Sequence, residues 1–197
     1  MGWDDSSIHE PIHRTQMLKG TRTMHNIGAT IADAATMGPR YAHRLIRGIP
    51  PERFGRLASP GGQVVPSNHP AFVFGHLSLY PSKVLELLKI DSAPIRPPAE
   101  FERLFSKDAQ CVDDPEGTIY PSMDTIMDTF FRGYESAIAA VRQASDEQLT
   151  APNPVDTPLR EICPTLGSML AFYLTGHVYI HLGQVSAWRR MEGLPAA

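Results

Sequence analysis

The chain's 18 prolines are strongly clustered, and proline removes a backbone donor and clashes inside a helix, so their clusters mark where long helices cannot run. Between them lie long stretches with few or no prolines: Ile12 to Gly38, Pro70 to Ile90 with one interruption at Pro81, Ser122 to Ala151, and Thr165 to Leu194. Apolar residues recur in these runs at spacings of three and four, as in Ile126, Phe130, Phe131, Tyr134, Ile138 and Val141, and no run sustains the period-two alternation of a strand. The pattern predicts an all-α fold of four long helices, roughly over 14–47, 68–90, 122–146 and 165–192, in a single domain over 1–197. Asn68 or Ser67 can cap the second helix, with Pro70 in its first turn. Thr165 can cap the fourth, and Gly193 and Pro195 stop it.

The connections are long. Asp91 to Pro121 is rich in proline and acidic residues, with one short amphipathic run at Ala99 to Phe105, and reads as a crossover with a helical turn inside. Ala151 to Pro164 holds four prolines and links the third helix to the fourth in the same way.

Composition removes several functional classes. A formal net charge of −3 without a dense Lys/Arg run offers no footprint for a phosphate backbone, so nucleic acid is not an expected partner. Apolar stretches fall short of the ~20 residues that span a bilayer, and the chain opens on Trp3-Asp4-Asp5 instead of a basic and then apolar leader. Cys111 and Cys163 stand apart with no CxxC pair, so neither a disulfide framework nor a zinc knuckle is indicated. The expectation is a soluble protein of a reducing cytoplasm, without membrane partners.

The strongest chemical signal is His177-Val-Tyr-Ile-His181. An i, i+4 pair on a helix sets both imidazoles on one face at chelating separation. Leu170, Tyr173, His177, His181, Gln184 and Trp188 continue that face, so both rings are expected to be buried in an otherwise apolar stripe. On the second helix His69, Phe72, His76, Leu79 and Lys83 share a face, and His76 lies among Phe74, Gly75, Leu77 and Leu79, where an unpaired polar ring is costly. Gly75 beside it permits close approach of another helix. These patterns leave two readings open: metal ligands, or core histidines satisfied by a tyrosine. His69 reads as a loop or capping histidine, and His25 as a core or solvent-facing residue of the first helix. His9, His13 and His43 have no supporting pattern. Tyr80, Tyr173 and Trp188 read as core or pocket wall.

The block Pro66-Ser-Asn-His-Pro-Ala-Phe-Val-Phe-Gly-His-Leu77, the block Pro164-Thr-Leu-Gly-Ser-Met-Leu170 and the run His177-Val-Tyr-Ile-His181-Leu-Gly-Gln184 resemble the DinB/YfiT-like superfamily. The resemblance extends from about Gln16 to Pro195. It implies an up-down-down-up four-helix bundle with His76, His177 and His181 as ligands of a divalent metal, and Ser145-Asp146-Glu147-Gln148-Leu149 as the link after the third helix. It also implies that Gln184 belongs to the Gly-Gln pair after the His-x3-His motif. Some relatives are thiol S-transferases or isomerases that use low-molecular-weight thiols, so a thiol cofactor, a small-molecule electrophile as substrate and an S-transferase reaction are the corresponding expectations.

Three imidazoles leave an open coordination position, which suits catalysis better than a closed structural site, and zinc and nickel both accept such donors. A metal-dependent hydrolase is the alternative enzyme. A non-catalytic metal-binding protein, dimerising through exposed helix faces, is the alternative from another class. The long crossover around Cys111 departs from the family pattern and is placed to reshape the mouth of the site.

Overall fold

A computed structural model describes residues 26–197. The first helix, α1 (Ile27–Leu45), begins where Asn26 adopts extended backbone and its side chain accepts the Ala29 N–H. The expected stretch of this helix before residue 26 lies outside the described residues, as do His9, His13 and His25. Pro39 sits inside α1 without ending it.

The expected second helix over 68–90 is two helices, α2 (Pro70–Leu77) and α3 (Tyr80–Leu87). The break follows from Pro81, which has no N–H for the Leu77 carbonyl and whose ring would crowd it. Leu79 instead donates its N–H to His76 O in a tighter turn. The cap of α2 also differs from the expected Asn68 or Ser67: His69 holds the extended cap position and its Nδ1 accepts the Phe72 N–H at 3.2 Å. The short run in the crossover is α4 (Glu100–Phe105), and the third long helix is α5 (Met123–Gln143), capped by Ser122. The link after it is a short helix of its own, α6 (Asp146–Thr150), started by the Ser145 side chain.

The fourth segment runs continuously as α7 (Leu166–Ala171), a π-helical turn over Phe172–Gly176, and α8 (His177–Met191). Thr165 caps it as expected, in a reciprocal capping box with Ser168. Among the described residues there is no strand, and one isolated bridge joins Pro152 to Thr165. No described helix is long and apolar enough to cross a membrane.

These segments enclose one core. α1 lies against α5 and α8, α5 also packs on α2 and α3, and α2 closes the ring against α8. The α1 stripe is made of small residues, with Ala32, Ala35 and Ala42 fully buried, so its backbone comes close to its neighbours. A side chain at Gly28 would collide with the Val141 carbonyl of α5. Opposite stand the large buried rings Phe74, Phe130, Tyr134, Phe101 and Phe105. Arg189 ties off one end, its Nη1 donating to the Leu45 and Arg47 carbonyls at 2.6 and 2.7 Å and its Nη2 to the Pro195 carbonyl at 3.0 Å.

The crossover is pinned down rather than draped. Arg56 makes two bonds to the Asp113 carboxylate, the buried Asp114 carboxylate accepts the backbone N–H groups of Thr118, Ile119 and Tyr120, and His69 Nε2–H donates to the Val112 carbonyl at 3.0 Å. His69 thus joins the start of α2 to the crossover and must be neutral to accept at Nδ1. Burial pushes its pKa down to about 4, against the opposing pull of the Val112 carbonyl.

The unfolded chain takes up this proton near the ordinary ~6.5 and the folded chain only near 4, so the contribution of His69 is complete above ~6.5 and is lost as the pH falls toward 4. Between those limits it amounts to about 3 kcal/mol. His69→Asn, which can still cap, should be less stable at pH 7 by about 1–3 kcal/mol because the Val112 carbonyl loses its donor. It should also lose less stability between pH 7 and pH 5 than the parent, as read by urea unfolding. Equal losses in both proteins would remove His69 from the acid response.

Candidate metal centre

The facing surfaces of α2 and α8 bring together the three histidines singled out by spacing. His177 and His181 stand one turn apart on α8, with ring centroids 4.6 Å apart, and His76 comes from α2. His76 Nε2 lies 3.2 Å from His177 Nε2, and the His76 and His181 centroids are 4.8 Å apart. One nitrogen of each ring lies within 4.8 Å of the others, a grouping that could hold a metal ion. Tetrahedral donors at ~2.0–2.1 Å from a zinc ion stand about 3.3 Å from one another, close to the shortest separation found here.

The remaining ring nitrogens determine which atoms are available. His76 Nδ1–H donates to the Phe105 carbonyl at 2.7 Å, and His181 Nδ1–H donates to Gln184 Oε1 at 3.0 Å. In a neutral imidazole the other nitrogen then carries the lone pair, so Nε2 of both rings is a free donor to a cation. Among the described residues, His177 Nδ1 is buried with no partner. If its proton is on Nε2, it donates to His76 and that pair of nitrogens is occupied; if on Nδ1, two lone pairs face each other across 3.2 Å. The second arrangement is repulsive unless a cation lies between them, and the donor set therefore fits a divalent metal.

All three rings are biased toward the neutral form that coordinates. Burial is the largest cause in each case. It lowers His177 to about 3, with further lowering from His181 and His76, and lowers His76 against the opposing Phe105 carbonyl. His181 is lowered despite its bond to Gln184. His76 and His177 are buried, whereas His181, expected to be buried, is half-buried and marks where the site meets the surface. The stripe at the centre of the core runs one position over, through Leu170, Leu174, Val178, Leu182 and Val185, and the histidines flank it.

The π turn lies immediately before His177. The His177 N–H reaches back five residues to the Phe172 carbonyl, and Thr175 Oγ1 takes up the Ala171 carbonyl at 2.6 Å. The additional residue in this turn offsets the faces of α7 and α8 by about 100°. It also carries Phe172 and Tyr173 to the site, where Tyr80 of α3 meets them: Phe172 lies 5.7 Å from the His177 ring, Tyr80 lies 4.2 Å from it, and Tyr173 packs on Tyr80 at 5.1 Å. The reading of Tyr80 and Tyr173 as wall residues agrees with these contacts. Trp188 is core, its indole N–H donating to the Arg56 carbonyl.

Other residues of the sequence reading lie apart from the triad. His69 is the α2 cap described above, in edge contact with Tyr120. His43 stacks on Phe131 at 3.8 Å, between α1 and α5. Cys111 is held by burial at a pKa of about 11 and is not a reactive thiolate. Surface cavities of 230–560 Å³ among the described residues are lined by side chains other than the three histidines, and the expected pocket over the site is not one of these.

Two contacts of the site were not anticipated. The Phe105 carbonyl is a backbone acceptor and carries no side-chain signature. Gln184 was visible as part of a motif, but its bond to His181 was not. Gly75 explains how the first is delivered: the Phe105 ring occupies the space where a Cβ at position 75 would be, with its ring atoms 2.5 Å from that point. Phe105 is fully buried and has nowhere to move. Gly75→Ala should therefore destabilise the fold by about 1–3 kcal/mol, outweighing the ~1 kcal/mol that alanine gains in a helix. By displacing the Phe105 carbonyl from His76 it should also weaken metal binding about 10–100-fold in a chelator competition. Unchanged affinity in a destabilised variant would separate the carbonyl from the site.

Among curated proteins none matches the chain. The DinB superfamily matches residues 34–185, more than three quarters of the sequence, and this span takes in all three histidines, the whole of α2 and α8 as far as Val185. With an all-α fold and a histidine cluster at the positions where the motif falls, the chain belongs to the DinB superfamily.

Proposed function

We propose that the protein binds a divalent metal, zinc or nickel, through Nε2 of His76, His177 and His181, and uses it as a thiol-dependent S-transferase on a small electrophile. The observation that carries the reading is the meeting of three desolvated, neutral imidazoles with, among the described residues, no aspartate, glutamate or cysteine in their group. An ion held there would supply an open coordination position at which a low-molecular-weight thiol is stabilised as thiolate. In the transfer the sulfur forms a bond to the electrophilic carbon, the leaving group departs with its electron pair, and the thiol proton passes to solvent. The chain's own contribution is orientation and exclusion of water. Phe105 and Gln184 fix two of the rings, and Tyr80, Phe172 and Tyr173 form an apolar flank for the reacting carbon. Hydrolysis is supported less well, because among the described residues the group contains no carboxylate to act as a general base for water.

Metal analysis of protein purified without chelator, followed by a screen of thiols against electrophiles, tests the reading. About one ion per chain and thiol consumption dependent on it are expected. Metal without turnover would favour the non-catalytic alternative, and absence of metal would end the proposal. His177→Ala should lose most of its metal while keeping the helical circular-dichroism signal, since packed helices and not the ion supply most of the stability. On acidification the parent should hold its ion below the ordinary imidazole pKa of ~6.5, because burial shifts all three rings downward and delays proton competition. Release already complete at ~6.5 would contradict a desolvated histidine site.

A further inference from the structure

Between α3 and the start of α4 lies a cavity of 230 Å³. It is smaller than the ~300–1,000 Å³ of pockets that take drug-sized ligands, so it suits a small head group. Pro97 and Pro98 form part of its wall, and four charged side chains stand around it: Lys83 and Glu86 of α3, Arg96 of the crossover and Glu102 of α4. Two of the four satisfy each other, since Glu86 accepts from Arg96 Nη2 at 3.4 Å and also from Ser92 Oγ at 2.7 Å. Lys83 and Glu102 differ: among the described residues, neither forms an ion pair with the other or with a third side chain.

Both of these charges border the histidines. Lys83 Nζ lies over the Tyr80 ring, 5.2 Å from its centroid, and that ring is 4.2 Å from the His177 ring and 5.2 Å from the His76 ring. Glu102 stands one turn of α4 before Phe105, whose carbonyl holds His76. Behind burial, the Phe105 carbonyl and His181, Lys83 lowers the pKa of His76 and Glu102 raises it, so both charges are felt at that ring. An ammonium and a carboxylate without partners on one small cavity are complementary to a ligand that carries the opposite pair at short range. An α-amino acid does so, with its carboxylate for Lys83 and its ammonium for Glu102. A simple anion would meet repulsion from Glu102, and a simple cation from Lys83.

We propose that Lys83 and Glu102 are the docking pair for a zwitterionic α-amino-acid head group, which directs the side chain of a thiol amino acid toward the three histidines. The docking pair is a property of the metal-free chain, and only the delivery of sulfur rests on the thiol reading above.

Metal-free protein titrated with S-methyl-L-cysteine, whose sulfur is capped, tests the head group alone. Methylthiopropionate, which lacks the ammonium, and methylthioethylamine, which lacks the carboxylate, are the comparisons, and backbone amide shifts in ¹⁵N spectra read the place and affinity of binding. The zwitterion should bind tightest and shift amides beside Lys83 and Glu102. Lys83→Gln should weaken it about 5–10-fold without weakening the amine, and Glu102→Gln should weaken it similarly without weakening the propionate. Lys83→Arg keeps the charge and should bind the zwitterion as the parent does. Both side chains are exposed, so neither substitution burdens the fold. In cobalt-loaded protein, L-cysteine should give a thiolate-to-cobalt absorption band that travels with the protein on gel filtration, half-saturating at about 5–10-fold higher concentration in either glutamine variant.

Equal affinity for the three capped ligands, shifts elsewhere on the surface, or a zwitterion indifferent to both glutamine substitutions would overturn the proposal and leave Lys83 and Glu102 as solvated charges. Head-group binding that follows the two side chains as described, with no thiolate band in the cobalt protein, would support the docking pair while ending the thiol reading.

Discussion

A buried imidazole leaves water with two nitrogens to satisfy, and a lone polar atom without a partner costs about 1–3 kcal/mol. Two such rings, His76 and His177, meet the half-buried His181 between α2 and α8, and the distribution of partners around them accounts for much of the surrounding structure. The Phe105 carbonyl reaches His76 only because α4 ends against Gly75, and α4 is held there because the crossover beyond it is fastened by Arg56, His69 and the Asp114 turn. A loop without those fastenings would leave His76 Nδ1 unpaired. His177, with no acceptor at Nδ1, is the ring whose state depends most on what occupies the space between the Nε2 atoms.

The helices that carry the rings are held by interactions that do not involve them. α1 packs closely on α5 through alanines and Gly28, and the rings of Phe74, Phe130 and Tyr134 fill the space opposite. Arg189 spans from α8 to the end of α1 through carbonyl oxygens alone, a suitable partner for a guanidinium because the last carbonyls of a helix carry partial negative charge. A site whose ligands come from two separately braced helices is fixed in geometry before any ligand arrives, and that pre-organisation lowers the ordering cost of binding.

What sequence could disclose follows the range of the interaction concerned. Helix-periodic runs between prolines marked α5 and the α7–α8 segment because periodicity and caps such as Thr165 are local. The histidine convergence was legible because an i, i+4 pair and a third histidine on an apolar face have few arrangements that bury them cheaply. The single helix over 68–90 was too generous, since the effect of Pro81 depends on whether tertiary contacts compensate for the lost bond, and here they allow a break at Ser78. His69 displaced Ser67 and Asn68 as cap because the Val112 carbonyl fixes its ring, a partner 43 residues away. The π turn has no composition of its own, and the Asn68 to Gln184 bond joins side chains from opposite ends of the chain.

The charge of the cluster bears on the chemistry it favours. Three neutral imidazoles bring no negative charge, and the nearby carboxylate of Glu102, which acts on His76 at a distance, is exposed and outside the group. A divalent ion on such donors would keep its full formal charge, in surroundings that desolvate the rings enough to lower all three of their pKa values. In a site with a carboxylate ligand part of that charge would be neutralised and a water molecule would complete the shell at less cost. Here the uncompensated charge is stabilised most by an anionic ligand, and the cation's effect on the acidity of a bound group is correspondingly large. In the reading proposed above a thiol, whose free pKa of ~8.5 lies far below that of water, would become such an anion at neutral pH with the smaller shift, and its soft sulfur suits zinc and nickel. Such an ion would acidify bound water as well as a bound thiol, so what separates the two nucleophiles in the proposed reading is the lack, among the described residues, of a carboxylate in the group to act as general base.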